Sequence, residues 1–179
     1  RCQAIYFNPL SRKDIEHILR DKFDAESAKA RTASLIANGN MKTAIRIADQ
    51  KSSLNRQIAI QILDMAWQKH ELAFHNLISK DKEILSAAFI KELFNYMAIL
   101  INDLVILRHT PDVVVNIDHA ELLEQISSNS GFWEDGAYDM LLTLEDLKRK
   151  LDGHVNPNLV MINAFFGLSG MIHGNRVNV

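Results

Sequence analysis

Cysteine, proline and glycine are all scarce: the 179 residues include one Cys, three Pro and seven Gly. The single cysteine, Cys2, excludes an internal disulfide framework and suits a reducing compartment. With no histidine close to it in sequence, it reads as a small packing residue rather than a nucleophile. So few prolines and glycines leave few positions for tight turns and favour long helices. No basic, apolar, small-residue leader opens the chain, so no secretory signal is expected. The longest apolar stretch, Met97 to Leu107, is interrupted by Asn102-Asp103. It falls short of the about 20 residues that a membrane span needs. No Gly-rich phosphate loop occurs, and Asn38-Gly39-Asn40 reads as a helix boundary. These absences point to a soluble protein of the cytoplasm with no membrane partner.

What is present is ordinary for a folded protein: 47% hydrophobic and 23% charged residues. The net charge of −2 hides an asymmetry. Through Lys51 there are ten Lys/Arg against six Asp/Glu, and from Ser52 onward ten against sixteen. Such a sign change predicts two units, 1–51 and 52–179, with different neighbours. The larger acidic unit lacks the cation surplus needed to track a phosphate backbone.

Helical periodicity runs through the chain. Ser11 with Asp14 resembles a capping box ahead of Ile15, Ile18 and Leu19. A second helix is predicted from about Ala25, behind an Asp24 cap, to Asn38-Gly39, and a third from Asn40 to about Gln50. Ser52-Ser53 is expected to cap a longer helix bearing Ile58, Ile62 and Met65 on one stripe and Ile60, Leu63 and Trp67 on another. Asp81 is expected to begin a long helix that ends near Arg108, before Pro111. Asp118 is expected to cap a short helix, and a fourth helix of this unit runs from about Phe132 to Leu151. Asn156-Pro157 is a cap with Pro in the first helical position. The final helix carries Leu159, Ile162, Phe165 and Phe166, and is expected to fray beyond Leu168. The strand-like pieces, Ala4-Tyr6 and Val113-Val115, have no partner of matching pattern. The fold class is therefore all-α, with three small helices followed by five larger ones.

The stretch His70-Glu71-Leu72-Ala73-Phe74-His75 invites comparison with the helical zinc-protease motif, and with it a metal-dependent hydrolase using His70, Glu71 and His75. Its geometry is wrong. Histidines four apart on a helix diverge by about 40°, whereas five apart they diverge by about 140°. Ordinary helix histidines are expected, with no metal site. No Ser, His and Asp set has local support as a nucleophilic triad, and Trp133 and Phe165-Phe166 read as core or interface.

Arg1-Cys2-Gln3, then Tyr6-Phe7, then Pro9-Leu10-Ser11 and a helix, resembles the junction in the clamp-loader branch of AAA+ ATPases. There a Ser-Arg-Cys motif closes the last strand of the nucleotide-binding core and leads into a three-helix lid. Asn38-Gly39-Asn40-Met41-Lys42-Thr43-Ala44 is similar to the start of the third lid helix. Asn102-Asp103-Leu104-Val105-Ile106-Leu107-Arg108, the later Asn116, and Asn156-Pro157 with Leu159 are similar to the helical collar of this family, most of all to delta-prime subunits of the bacterial DNA polymerase III clamp loader. Gamma/tau subunits share the pattern and remain the alternative.

The resemblance implies a lid over 1–51 and a five-helix collar over 52–179, forming the C-terminal portion of a subunit that assembles a ring. The parent complex uses ATP to load a sliding clamp onto primed DNA. By resemblance Arg1 matches the arginine finger, a fixed cation that reaches a neighbouring subunit's ATP. Lys42 falls at the sensor arginine position, where an ammonium attracts phosphate but cannot form a bidentate fork. The chain itself is then no enzyme and holds no cofactor, ATP being bound by neighbouring subunits. Its partners would be gamma/tau and delta subunits through the collar. Helices apolar over more than one face carry this expectation physically, because the surplus must be wrapped or must meet another subunit.

Overall fold

The computed structural model describes residues 8–37, 39–48, 50–80, 84–110, 114–132 and 134–174. Among these residues the structure is all-helical, without strands. The chain divides into two units, Arg1–Leu54 and Asn55–Val179. Helix α4, Gln50–Gln68, runs across the division.

The first unit contains α1 (Arg12–Phe23), α2 (Ser27–Ile36) and α3 (Met41–Ala48). Ser11 caps α1, its Oγ accepting from the Asp14 N–H at 3.2 Å and donating to the Asp14 carboxylate at 2.6 Å. The short Asp side chain meets the capping hydroxyl instead of reaching back to the backbone, as a Glu would. Asp24 does not cap α2. It closes α1 in the left-handed conformation, φ 48°, with its N–H donating to the Leu19 carbonyl, and Glu26 precedes α2 without a side-chain cap. Ile15 and Leu19 of α1 pack against Ala30, Ala33, Ala37 and Ala44. Alanines on the facing helices allow close approach, but they bury little area each, so this core is thin. Gly39 holds the turn between α2 and α3 at φ 86°, and its carbonyl accepts from the Leu10 N–H at 3.0 Å.

The second unit contains the rest of α4, then α5 (Glu71–Lys80), α6 (Ala87–His109), α7 (Ala120–Ser127), α8 (Glu134–Asp152) and α9 (Pro157–His173). Among the described residues six helices build it, where five are expected, because the stretch after Ser52 breaks in two. Lys69 takes φ 57°, and the His70 N–H returns to the Met65 carbonyl at 2.8 Å, closing α4 before α5 begins. Ser52-Ser53 is not a cap, since α4 already starts at Gln50. Likewise α6 is capped by Ser86, whose Oγ accepts from the Phe89 N–H at 3.3 Å. It does not start at Asp81, which lies outside the described residues.

Helix α6 is the hub of this unit, packing on α7, α8 and α9. Ile90, Leu93, Phe94, Met97, Leu100, Ile101 and Leu104 are buried along it, at the three- and four-residue steps of a helix enclosed on more than one side. Phe74 of α5 stacks on Phe165 of α9, with centroids 4.2 Å apart. Asn156 caps α9 by accepting from the Asn158 N–H at 2.9 Å, with Pro157 at the first position. Among the described residues α9 does not fray after Leu168, and residues 175–179 lie outside them. The helix continues to His173 because Gly170, Met171 and Ile172 are buried and His173 stacks on Trp67 at 5.7 Å. Gly174, φ 70°, ends it. Val114 and Val115 are not in a strand, and Ala4-Tyr6 lies outside the described residues. Among the described residues no helix is long and apolar enough to cross a membrane.

Candidate functional site

Lys42 and the set His70, Glu71 and His75 are exposed. Arg1 and Cys2 lie outside the described residues. Lys42 is exposed on the first turn of α3, beside Asn40, whose Oδ1 accepts from the Thr43 N–H at 3.2 Å. A lysine there is free to approach an anion. His70, Glu71 and His75 are all exposed. His70 acts through its backbone, its carbonyl accepting from the Phe74 N–H at 3.1 Å to start α5. Among the described residues no group of three His, Cys, Asp or Glu side chains comes together to hold a metal ion.

The polar residues that do converge are structural. Asp103 on α6 is buried, and its carboxylate accepts from the Val115 N–H (3.0 Å), the Asn116 N–H (2.9 Å) and Asn116 Nδ2 (2.6 Å). Asn116, also buried, accepts at Oδ1 from Arg56 Nε of α4 at 2.9 Å. Arg56 then grips both oxygens of Asp118 in a bidentate fork. Asp118 thus sits in the 3₁₀ turn Ile117–His119 as an arginine partner, not as the helix cap. Burial by itself would raise the Asp118 carboxyl. The Arg56 hydrogen bonds and charge, helped by His119, outweigh it and hold the group below its ordinary value.

Arg108, at the end of α6, organises the next connection. Its Nε donates to the Ser127 carbonyl at 2.7 Å and its Nη2 to the Asn129 carbonyl at 3.1 Å, so it caps the C-terminus of α7. The guanidinium lies 4.8 Å from the Phe132 ring centroid and pairs with Glu134 at 3.2 Å. Hydrogen bonds from Arg108 hold the Glu134 carboxyl below its ordinary value, with His109 adding to the effect. Phe132 is therefore a buried loop residue under Arg108, and α8 begins two residues later.

The feature that remains is an apolar surface. Helix α9 has 17 residues and contains no Asp, Glu, Lys or Arg. One face fills the core through Val160, Met161, Ala164, Phe165, Leu168 and Met171. Leu159 (52% exposed), Ile162 and Phe166 (42%) fall on another face at steps of three and four. Periodicity announces α9 as apolar, but which of its residues the core leaves over follows only from the packing. Comparison with family models, curated proteins and solved structures finds no match to this chain.

Proposed function

We propose that the chain is the lid-and-collar portion of a clamp-loader subunit of the delta-prime kind. Its work is assembly: holding subunits in a ring for ATP-driven loading of a sliding clamp onto primed DNA. The observation that carries this reading is the uncharged α9, whose Leu159, Ile162 and Phe166 stay accessible after the core is filled. An exposed apolar stripe with no charge on its helix suits a permanent protein contact better than it suits solvent. The order of motifs along the chain supports this reading, and two of those stretches meet where the Asn116 N–H and Nδ2 donate to Asp103. Lys42 in place of the sensor arginine is compatible with the delta-prime kind, and gamma/tau is the alternative. In the intact parent, Arg1 would act on a neighbour's ATP and this chain would bind none.

The test is co-elution of the full chain with gamma/tau and delta subunits in size-exclusion chromatography. The reading requires a stable complex that Leu159→Ser with Phe166→Ser disrupts. Failure to associate at micromolar concentrations of all partners would overturn it.

A further inference from the structure

Helix α8 carries a second surface, chemically unlike that of α9. Between Glu134 and Leu147 it has five carboxylates and no Lys or Arg. Three of the five are already engaged: Glu134 by Arg108 and His109, Glu145 by Lys148 and Asp146 by Lys150. Asp135 and Asp139 are exposed and have no ion pair among the described residues. Between and beside them stand Tyr138 and Leu142, 65% and 51% exposed. The spacing Asp135, Tyr138, Asp139, Leu142 is i, i+3, i+4, i+7, which places all four within one 60° to 100° arc of the helix. Across that helix Ala137, Met140, Leu144 and Leu147 are buried, so the arc faces away from the core.

Single exposed apolar side chains are commonplace. Two large ones a turn apart, one of them tyrosine, are the composition of a contact anchor. Asp135 in the first turn also complements the helix dipole, but Asp139 lies a turn further on, where that effect has faded. We propose that this face of α8 docks a basic protein segment whose apolar side chains cover Tyr138 and Leu142 while its Lys or Arg residues meet Asp135 and Asp139. The same carboxylates disfavour phosphate-rich partners, since they would repel a nucleic-acid backbone or an anionic lipid surface. The surface is independent of the α9 stripe, so it survives failure of the assembly reading.

The experiment uses the full chain and two fluorescein-labelled helical peptides with one apolar pattern, one flanked by Lys and Arg and the other by Glu. Fluorescence anisotropy is expected to show micromolar binding of the basic peptide, weakened by salt, and at least tenfold weaker binding of the acidic one. Tyr138→Ala with Leu142→Ala should lower affinity about tenfold. Asp135→Asn with Asp139→Asn should lower it about fivefold and flatten the salt dependence. Leu159→Ser with Phe166→Ser should leave it unchanged. All six positions are exposed or half-exposed, so circular dichroism of each variant should match the parent. Equal binding of both peptides, no binding, loss only in the α9 variant, or burial of this face by a second copy of the chain would overturn the proposal.

Discussion

Asp103 and Asn116 are joined by two hydrogen bonds, from the Asn116 N–H and from its Nδ2, both ending on the same carboxylate oxygen inside the second unit. The contact ties the centre of α6 to the segment that follows it, and through Arg56 it reaches α4. Asp103→Ala would leave the buried Asn116 N–H and the part-buried Val115 N–H without an acceptor, and should destabilise this unit by about 3 kcal/mol. Asn116→Ala should cost about 2 kcal/mol. Urea unfolding followed by circular dichroism measures both. The double variant should cost clearly less than the two singles combined, because each removes the same interaction; strict additivity would refute the coupling.

Acid should weaken this network in a defined direction. Asp118 and Glu134 both titrate below their ordinary values of 3.8 and 4.5. The folded chain therefore holds fewer protons than the unfolded chain in the acid range, and stability rises with pH there. The contribution is complete above the ordinary values and is lost as pH falls through the lower folded ones. Asp118→Asn should lower the urea midpoint near neutrality, and its difference from the parent should shrink as pH falls below about 4. A difference that stays constant with pH would show that the Arg56 pair contributes nothing through its charge.

Two glycines should respond differently to alanine. At Gly39 the backbone is left-handed, and an added Cβ would lie 2.3 Å from Pro9 Cβ. Gly39→Ala should cost about 1–3 kcal/mol and speed amide exchange across α1 to α3. Gly167 lies in α9, where an added Cβ would meet Met140 Sδ at 2.7 Å. A thioether can turn aside, and alanine favours the helix, so Gly167→Ala should change stability by no more than about 1 kcal/mol. Hydrogen exchange on the full chain separates the two effects.

The aromatic stack between Phe74 and Phe165 joins α5 to α9. Phe165→Ala should cost about 3–5 kcal/mol, whereas Phe166→Ala, at a half-exposed position, should cost under about 1 kcal/mol. Thermal denaturation distinguishes them. Comparable losses would mean that Phe166 is also core, which would remove the physical basis for a contact stripe on α9.

Lys42→Ala should leave folding unchanged within about 0.5 kcal/mol, since the side chain is exposed. Neither parent nor variant should turn over ATP, because the nucleotide site of the proposed complex belongs to neighbouring subunits. A malachite-green phosphate assay checks this; turnover by the purified chain would contradict the proposed division of labour.

Helix content and type were legible from local signals. Ser11, Asn40 and Asn156-Pro157 mark helix starts because capping is decided within four residues, and the three- and four-residue apolar steps of α6 and α9 follow from helix geometry. The errors fell where one residue had two local options. Asp24 could cap the following helix or close the preceding one. Asp118 could cap a helix or bind an arginine more than sixty positions away. The break at Lys69 was hidden because a lysine in the left-handed conformation carries no sequence mark of its own.

By itself, then, the amino-acid sequence determined that this chain is helical and where α1, α3 and α9 begin, behind Ser11, Asn40 and Asn156. Only the tertiary structure decided which side chains are enclosed and which are left over. It paired Asp103 with Asn116, drew Arg56 to Asp118, and left Tyr138 and Leu142 on α8 and Leu159 and Phe166 on α9 in reach of solvent. The physical reason is range: caps and periodicity act within one or two turns, whereas burial and ion pairing depend on neighbours that only the packed chain brings near.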